Sequence, residues 1–322
     1  YLDPPPDGRR RPRHERSRMM MASEVKMKVI NWLAIYKRER VATRCLGVNI
    51  DMCFFKSVGL YAVLAQHWSL FCQLTKREMQ QRYQGSMLGM LWCLALPLLR
   101  FCVYIFVFGY IFQSRWADVD ISVRGSFAII MFCGLSVFTM FSESVAGSCK
   151  VIVGHRNLVK NVVFPIELLP FTFVCSTFLF GFIWLVLLLV GTFWVFGTLH
   201  LTTLFIPIIV FPLFLISLGL SYFVSSLVVY IRDFQHFVPV VMQILFFMTP
   251  IFYSIDRIPF RYRWIMQLNP ICLIVEEMRR ITIFGMLPDW MSLLKVYLLG
   301  VCVCYLGYAW FAKTKKGFVD VI

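Results

Sequence analysis

Charge is scarce in this chain. Of its 322 residues, 15% are charged, 59% are apolar and 17% are aromatic. A soluble domain carries about 25% charged residues. With a mean hydropathy of +0.73, the chain has more apolar surface than a soluble interior of this size can hide. Other absences narrow the chemistry. No C-x-x-C pair occurs among the 11 cysteines, and no Cys/His spacing suits a metal, which argues against a disulfide framework or a metal centre. The loop G-x-x-x-x-G-K-[ST] is missing, and no Gly is followed by Lys anywhere. Any dependence on ATP therefore falls to another chain. H-E-x-x-H and G-x-S-x-G are missing too.

Six apolar runs are present instead: Leu88–Phe112, Phe127–Val145, Phe171–Phe196, Phe205–Val228, Phe234–Tyr253 and Met291–Phe311. A helix rises about 1.5 Å per residue, so each run can cross a hydrocarbon core of about 30 Å. The runs are continuous, whereas barrel strands alternate. The expected fold class is an all-α integral membrane protein with six transmembrane helices. The second run is the weakest, because Ser136, Thr139, Ser142 and Glu143 interrupt it.

The net charge is +15, of which +9 lies before residue 85 and +6 after it. Basic residues gathered ahead of the first run read as topology signals. They do not read as a nucleic-acid face, which needs a folded basic surface. Lys150, Arg156 and Lys160 follow the second run, Arg232 follows the fourth, and Lys313, Lys315 and Lys316 follow the sixth. The segment Gly197–Leu204 has no Lys or Arg. This alternation places both termini in the cytoplasm, with connections 2–3 and 4–5. Connection 5–6 disagrees, being expected outside yet holding Arg257, Arg261, Arg263, Arg279 and Arg280. Glu276 and Glu277 read as salt-bridge partners of the last two on a helix face.

Residues 1–55 are basic and read as a disordered tail. Within residues 56–84, the stretch Gly59–Thr75 is moderately apolar and flanked by Lys56, Lys76, Arg77 and Arg82. It reads as a cytoplasmic amphipathic helix in the headgroup plane, followed by an elbow. Residues 85–322 form the six-span domain. Between spans 5 and 6, RYRWIMQL and ICLIVEEMRRITIF are too short to cross, and Asn269-Pro270 separates them. They read as a re-entrant helical pair. Cys272 is expected on the outer side.

Four segments carry a resemblance. They are RYQGSMLGMLWCLALPLL from Arg82, HRNLVKNVVFPIELLP from His155, YIRDFQHFVPVVMQILFFMTPIFY from Tyr230 and LNPICLIVEEMR from Leu268. Together they resemble the permease subunit of type-2 ABC exporters, in the group that exports capsule, O-antigen and teichoic acid polysaccharides. The resemblance covers about residues 56–322. It implies ATP-driven export of a polysaccharide, expected to be lipid-linked, across the bacterial inner membrane. Two permease copies would work with two copies of an ABC ATPase subunit, which binds ATP and Mg. This chain would bind no cofactor, no metal and no nucleic acid, and would do no bond chemistry. An exporter of a drug, lipid or small glycolipid stays open. So does a membrane glycosyltransferase or ligase, although no catalytic motif supports one.

The same resemblance implies residue roles. Asn157, Leu158, Lys160, Phe164 and Pro165 would couple to the ATPase, with Arg232 and Asp233 as a second inner point. Arg82, Tyr83, Ser86, Gly89, Trp92 and Pro97 would form the elbow into span 1. Thr249, Pro250, Tyr253, Asn269 and Pro270 would form an external gate. Physical readings stand beside these. A cation and an amphipathic ring anchor a helix start at the boundary. Gly89 removes bulk for close packing, Pro97 permits a bend, and Pro165 marks a helix break. Arg100 departs from the family, whose span 1 is apolar there. It lies about 18 Å into span 1. An arginine facing lipid at the bilayer centre costs about 2.5–3.5 kcal/mol. Arg100 is therefore expected to face the protein interior or a water-filled pore.

Overall fold

A computed structural model describes residues 67–82, 85–111, 126–159, 164–253, 259, 266 and 269–321. The tail of residues 1–55, the start of the expected interfacial helix, Tyr83, Lys160, Arg257, Arg261, Arg263 and most of RYRWIMQL lie outside the described residues. Those described belong to one compact unit within Ser57–Ile322. They hold helices and turns and no strand.

Helix α1 (Trp68–Gln81) precedes α2 (Trp92–Tyr104), which starts from a 3-10 turn at Gly89–Leu91 and runs on into a π-helical stretch, Ile105–Ile111. Then come α3 (Ser126–Ser148), the short α4 (Val151–Gly154) and α5 (Arg156–Val159), and the long α6 (Leu168–Phe196). A 3-10 turn, Leu201–Phe205, opens α7 (Ile206–Tyr230). The order closes with α8 (Phe234–Met248), α9 (Pro270–Thr282), α10 (Trp290–Thr314) and α11 (Phe318–Val321).

Among the described residues, four helical segments are long and apolar enough to cross a membrane: α3, α6, α7 with its leading turn, and α10 with its trailing turn. The first and fifth expected spans yield shorter apolar helices, Trp92–Val107 and Phe234–Met248. The fifth run stays apolar to Tyr253, but its helix stops at Met248. Thr249 is extended, with ψ of 133°, and Pro250 follows it. A residue before proline is driven out of the helical region.

Helix α3 is the hub, packed by α6, α7, α8 and α9. Of its apolar window, 89% is buried, against 22% for α10. Protein rather than lipid surrounds it, which is why its sequence tolerates polar residues. The hydroxyls of Ser136, Ser144 and Ser148 donate to carbonyls three or four residues back, at 2.8, 2.7 and 2.6 Å. A hydroxyl satisfied by its own helix can be buried cheaply.

Helices α7 and α10 share the most extensive pairing. Gly219 of α7 and Gly307 of α10 meet without side chains between them, and a Cβ on either would enter the backbone of the facing helix. Small residues allow such an approach. Helix α1 continues to Gln81, beyond the expected end at Thr75. Leu70, Phe71, Leu74, Thr75, Glu78 and Met79 recur at helical spacing on its covered side, and the helix packs on α6. Ser69, Cys72, Gln73, Lys76 and Arg77 are exposed on the other side. The charged run Lys76–Glu78 conceals this continuation in the sequence, since only its spacing and not its hydropathy is helical.

Candidate functional site

The residues expected at the inner end gather on a second buried cluster that includes Ile152, Val159, Leu169, Tyr222, Phe311 and Phe318. Leu158 and Phe164 pack half-buried against it. Pro165 precedes the start of α6 at Leu168, as its chemistry predicts. Arg156 and Asn157 remain exposed on α5. Arg232 and Asp233, in the turn between α7 and α8, are exposed as well. No hydrogen bond or ion pair among the described residues joins them to Asn157 or Leu158.

Polar links tie this end together. Nε2 of His155 lies 3.3 Å from a Glu78 carboxylate oxygen, and Nδ1 lies 2.8 Å from the Val151 carbonyl. The Tyr222 hydroxyl donates to the Glu167 carbonyl at 3.0 Å, and the Glu167 carboxylate pairs with Lys315. The segment before α6 is thus held by α1, α7 and the end of α10.

At the elbow, Arg82 pairs with Glu143 of α3, and its guanidinium lies 4.9 Å from the Phe180 ring centroid. Ser86 accepts from the Trp92 indole at 2.7 Å. Pro97 is buried inside α2. Gly89 corrects the packing expectation. A Cβ there would meet nothing within 4 Å, but φ is +49°. The position needs glycine for its left-handed turn rather than for a close neighbour. Arg100 is exposed on α2, with its guanidinium 5.7 Å from the Trp184 ring centroid on α6. That is cation–π distance.

Of the residues expected at the outer end, the structure brings Thr249 and Asn269 into contact. The Asn269 amide donates to the Thr249 hydroxyl at 3.1 Å. Its carbonyl oxygen accepts from the Ile271 N–H at 3.0 Å and so caps α9, with Pro270 in the first turn. The Tyr253 hydroxyl donates to the Phe247 carbonyl at 2.9 Å.

Arg279 is the residue that sequence reasoning missed. Expected among the outer loop charges, it is 4% exposed. It donates to the carbonyls of Pro250 at 2.7 Å, Ile251 at 2.9 Å and Ile130 at 3.2 Å. The break at Thr249-Pro250 strips helical partners from nearby carbonyls, and a guanidinium offers five donors in one rigid fork. Gly134 leaves room for it, since a Cβ there would lie 3.0 Å from Nη2. One signal was available. Cys272, Val275 and Arg279 recur at helical spacing on the face of α9 that also carries Met278 and is buried. Cys272 is 0% exposed, buried on that same face.

Glu277 accepts from the Asp289 N–H at 2.9 Å, which fixes the turn before α10. Asp289 caps α10 by accepting from Ser292 Oγ at 2.7 Å and the Met291 N–H at 3.1 Å. These bonds hold its carboxyl below the usual range, the Ser292 hydroxyl contributing most.

Comparison with known proteins gives a consistent set of matches. The family model described as ABC-2 type transporter matches residues 69–283. The O-antigen export system permease protein RfbA of Klebsiella pneumoniae is 28% identical over 276 residues, which is 83% of this chain and 100% of that protein. The RfbA protein of Myxococcus xanthus is 28% identical over 270 residues, 82% of this chain and 100% of its own. The polysialic acid transport protein KpsM of Escherichia coli is 23% identical over 246 residues, 76% of this chain and 92% of its own.

Proposed function

The chain belongs to the ABC-2 type transporter family, and from that membership we propose that it is the transmembrane subunit of an exporter that carries a polysaccharide across the bacterial inner membrane. ATP would be hydrolysed with Mg on a partner ATPase, since this chain has no nucleotide-binding loop of its own. One observation carries the reading. The similarity runs the full length of O-antigen export permeases from two organisms. A lipid-linked polymer is the substrate, and the working unit is two copies of this chain with two ATPase subunits.

The finer topology belongs to the same reading. Both termini are cytoplasmic, and α1 lies in the inner headgroup plane. Helix α2 with its π-helical continuation is one crossing. Helix α8 with the extended residues behind it is another, which makes six. Helix α9 is one member of a re-entrant pair. The α4–α5 segment docks on the ATPase through its exposed Arg156 and Asn157, with Lys160, Arg232 and Asp233 alongside. The contact between Thr249 and Asn269 is part of the outer gate.

The test is reconstitution of the chain with the ATPase subunit of its exporter in sealed vesicles. The expected result is ATP-dependent movement of lipid-linked polysaccharide that requires both chains. Sugar transfer by the purified chain alone would overturn the reading. So would transport of small glycolipids with no movement of polymer.

A further inference from the structure

Two arginines stand on successive turns of one face of α6. The Arg82 guanidinium lies over Phe180 and the Arg100 guanidinium over Trp184, at 4.9 and 5.7 Å from the ring centroids. Those rings are four residues apart, about one helical turn or roughly 5–6 Å. Helix α6 runs antiparallel to α3, because Gly181 meets Met140 while Gly191 meets Ile129. Trp184 is therefore level with the middle of α3, and Arg100 lies halfway along a buried crossing helix. Trp184 itself is buried, 7% exposed, whereas Arg100 is exposed. The ring lies under the guanidinium carbon, and Arg100 is exposed. A guanidinium offers a fork of N–H donors that matches the geometry of an oxyanion.

An exposed cation at that depth needs a counter-charge. Among the described residues, no carboxylate is placed to provide it. Glu143 is held by Arg82, Glu167 by Lys315 and Glu78 by His155. Asp233 lies in the turn between α7 and α8. Glu276 and Glu277 lie on α9, and Asp289 caps the start of α10. A second copy of this chain would bring the same set at the same levels, and lipid tails bring none. Among the described residues nothing supplies that charge, and an anionic group passing along the Arg100 face would.

We infer that Arg100 lines the translocation path and binds an oxyanion, phosphate or carboxylate, carried by the passing substrate. Arg82, one turn below, is already paired with Glu143 and leaves Arg100 as the cation that meets the anion. This rests on the export function proposed above. It adds an anionic group to the substrate and a residue that reads it.

The test uses the chain assembled with its ATPase in lipid nanodiscs or vesicles. Arg100→Gln is expected to lower ATP-dependent export about tenfold, the worth of one charge-assisted hydrogen bond, with Arg100→Lys between it and the wild type. Export unchanged by Arg100→Gln would overturn the inference while leaving the export function standing. Export without the ATPase would instead overturn the function. Accessibility gives a second readout, which a purely structural role would not move and which stands if Arg100→Gln fails to assemble. Arg100→Cys, with the exposed Cys72, Cys102 and Cys302 replaced by alanine, should react with a water-soluble charged methanethiosulfonate. Reaction only with a membrane-soluble benzyl reagent would place the position against lipid and overturn the inference. Phosphatidylcholine discs with and without phosphatidylglycerol separate the two sources of an oxyanion. Wild-type ATPase activity indifferent to phosphatidylglycerol supports a substrate group. Activity that needs phosphatidylglycerol, with that need removed by Arg100→Gln, would assign the anion to a lipid headgroup and overturn the substrate contact.

Discussion

The side-chain amide of Asn269 spans two broken helices. It donates to the Thr249 hydroxyl at 3.1 Å while its oxygen caps α9 through the Ile271 N–H at 3.0 Å. One side chain thus couples the end of α8 to the start of α9. Asn269→Ala removes both bonds and should cost about 1–2 kcal/mol. Asn269→Asp keeps the cap and loses the donor, so it should cost less. Thermal unfolding of the purified protein checks the order, and equal losses for the two variants would refute it.

Arg279 anchors the same region from beneath. Arg279→Met leaves the Pro250 and Ile251 carbonyls, which follow a helix break, without this donor, at about 1–3 kcal/mol for each orphaned group, while Ile130 keeps its place in the α3 ladder. A loss of at least about 2 kcal/mol is expected on that scale. Arg279→Lys should rescue little, because a point charge cannot reach three acceptors as a fork does. Hydrogen exchange at residues 251–253 should rise in both variants. Protection unchanged in Arg279→Met would refute the assignment.

Gly307→Ala should disrupt the α7–α10 pairing, since its Cβ has no space against Gly219. Overpacking of this kind costs about 1–3 kcal/mol. Gly154→Ala is the matched control. It lies in a helix, and nothing stands within 4 Å of its Cβ. It should be neutral or stabilising by up to about 1 kcal/mol. Melting temperatures of the two variants give the comparison.

Asp289 sets a pH dependence. Its folded carboxyl is held below the ordinary range by the Ser292 and Met291 bonds. Its contribution is therefore present above the unfolded carboxyl pKa and lost as pH falls through the lower, folded one. Asp289→Asn still caps the helix without a charge. The acid limb of its stability profile should be flatter than that of the wild type, and identical limbs would refute the role.

Some of this was legible in the residues. The long apolar runs gave α6, α7 and α10, and Thr249-Pro250 and Asn269-Pro270 marked a helix end and a helix start. These signals are local, being set by proline and capping chemistry. Arg279 was not legible as an anchor, because its partners are backbone carbonyls and any sequence has those everywhere. Gly89 was misread for a related reason: a glycine looks the same whether it relieves crowding or a positive φ. The second run seemed a poor span because hydropathy measures affinity for lipid, and α3 touches mostly protein.

The Gly219–Gly307 contact has a mechanical consequence. Side chains act as bearings between helices, letting one roll or slide as rotamers change. Between α7 and α10 there are none at that point, and the Tyr230 hydroxyl clasps the Thr314 carbonyl at 2.7 Å at the C-terminal ends of both helices. The pair can separate, but it cannot slip. Any stroke that widens a passage through this protein must carry the two as a single plank and take its travel from the seams around the short helices α2 and α8.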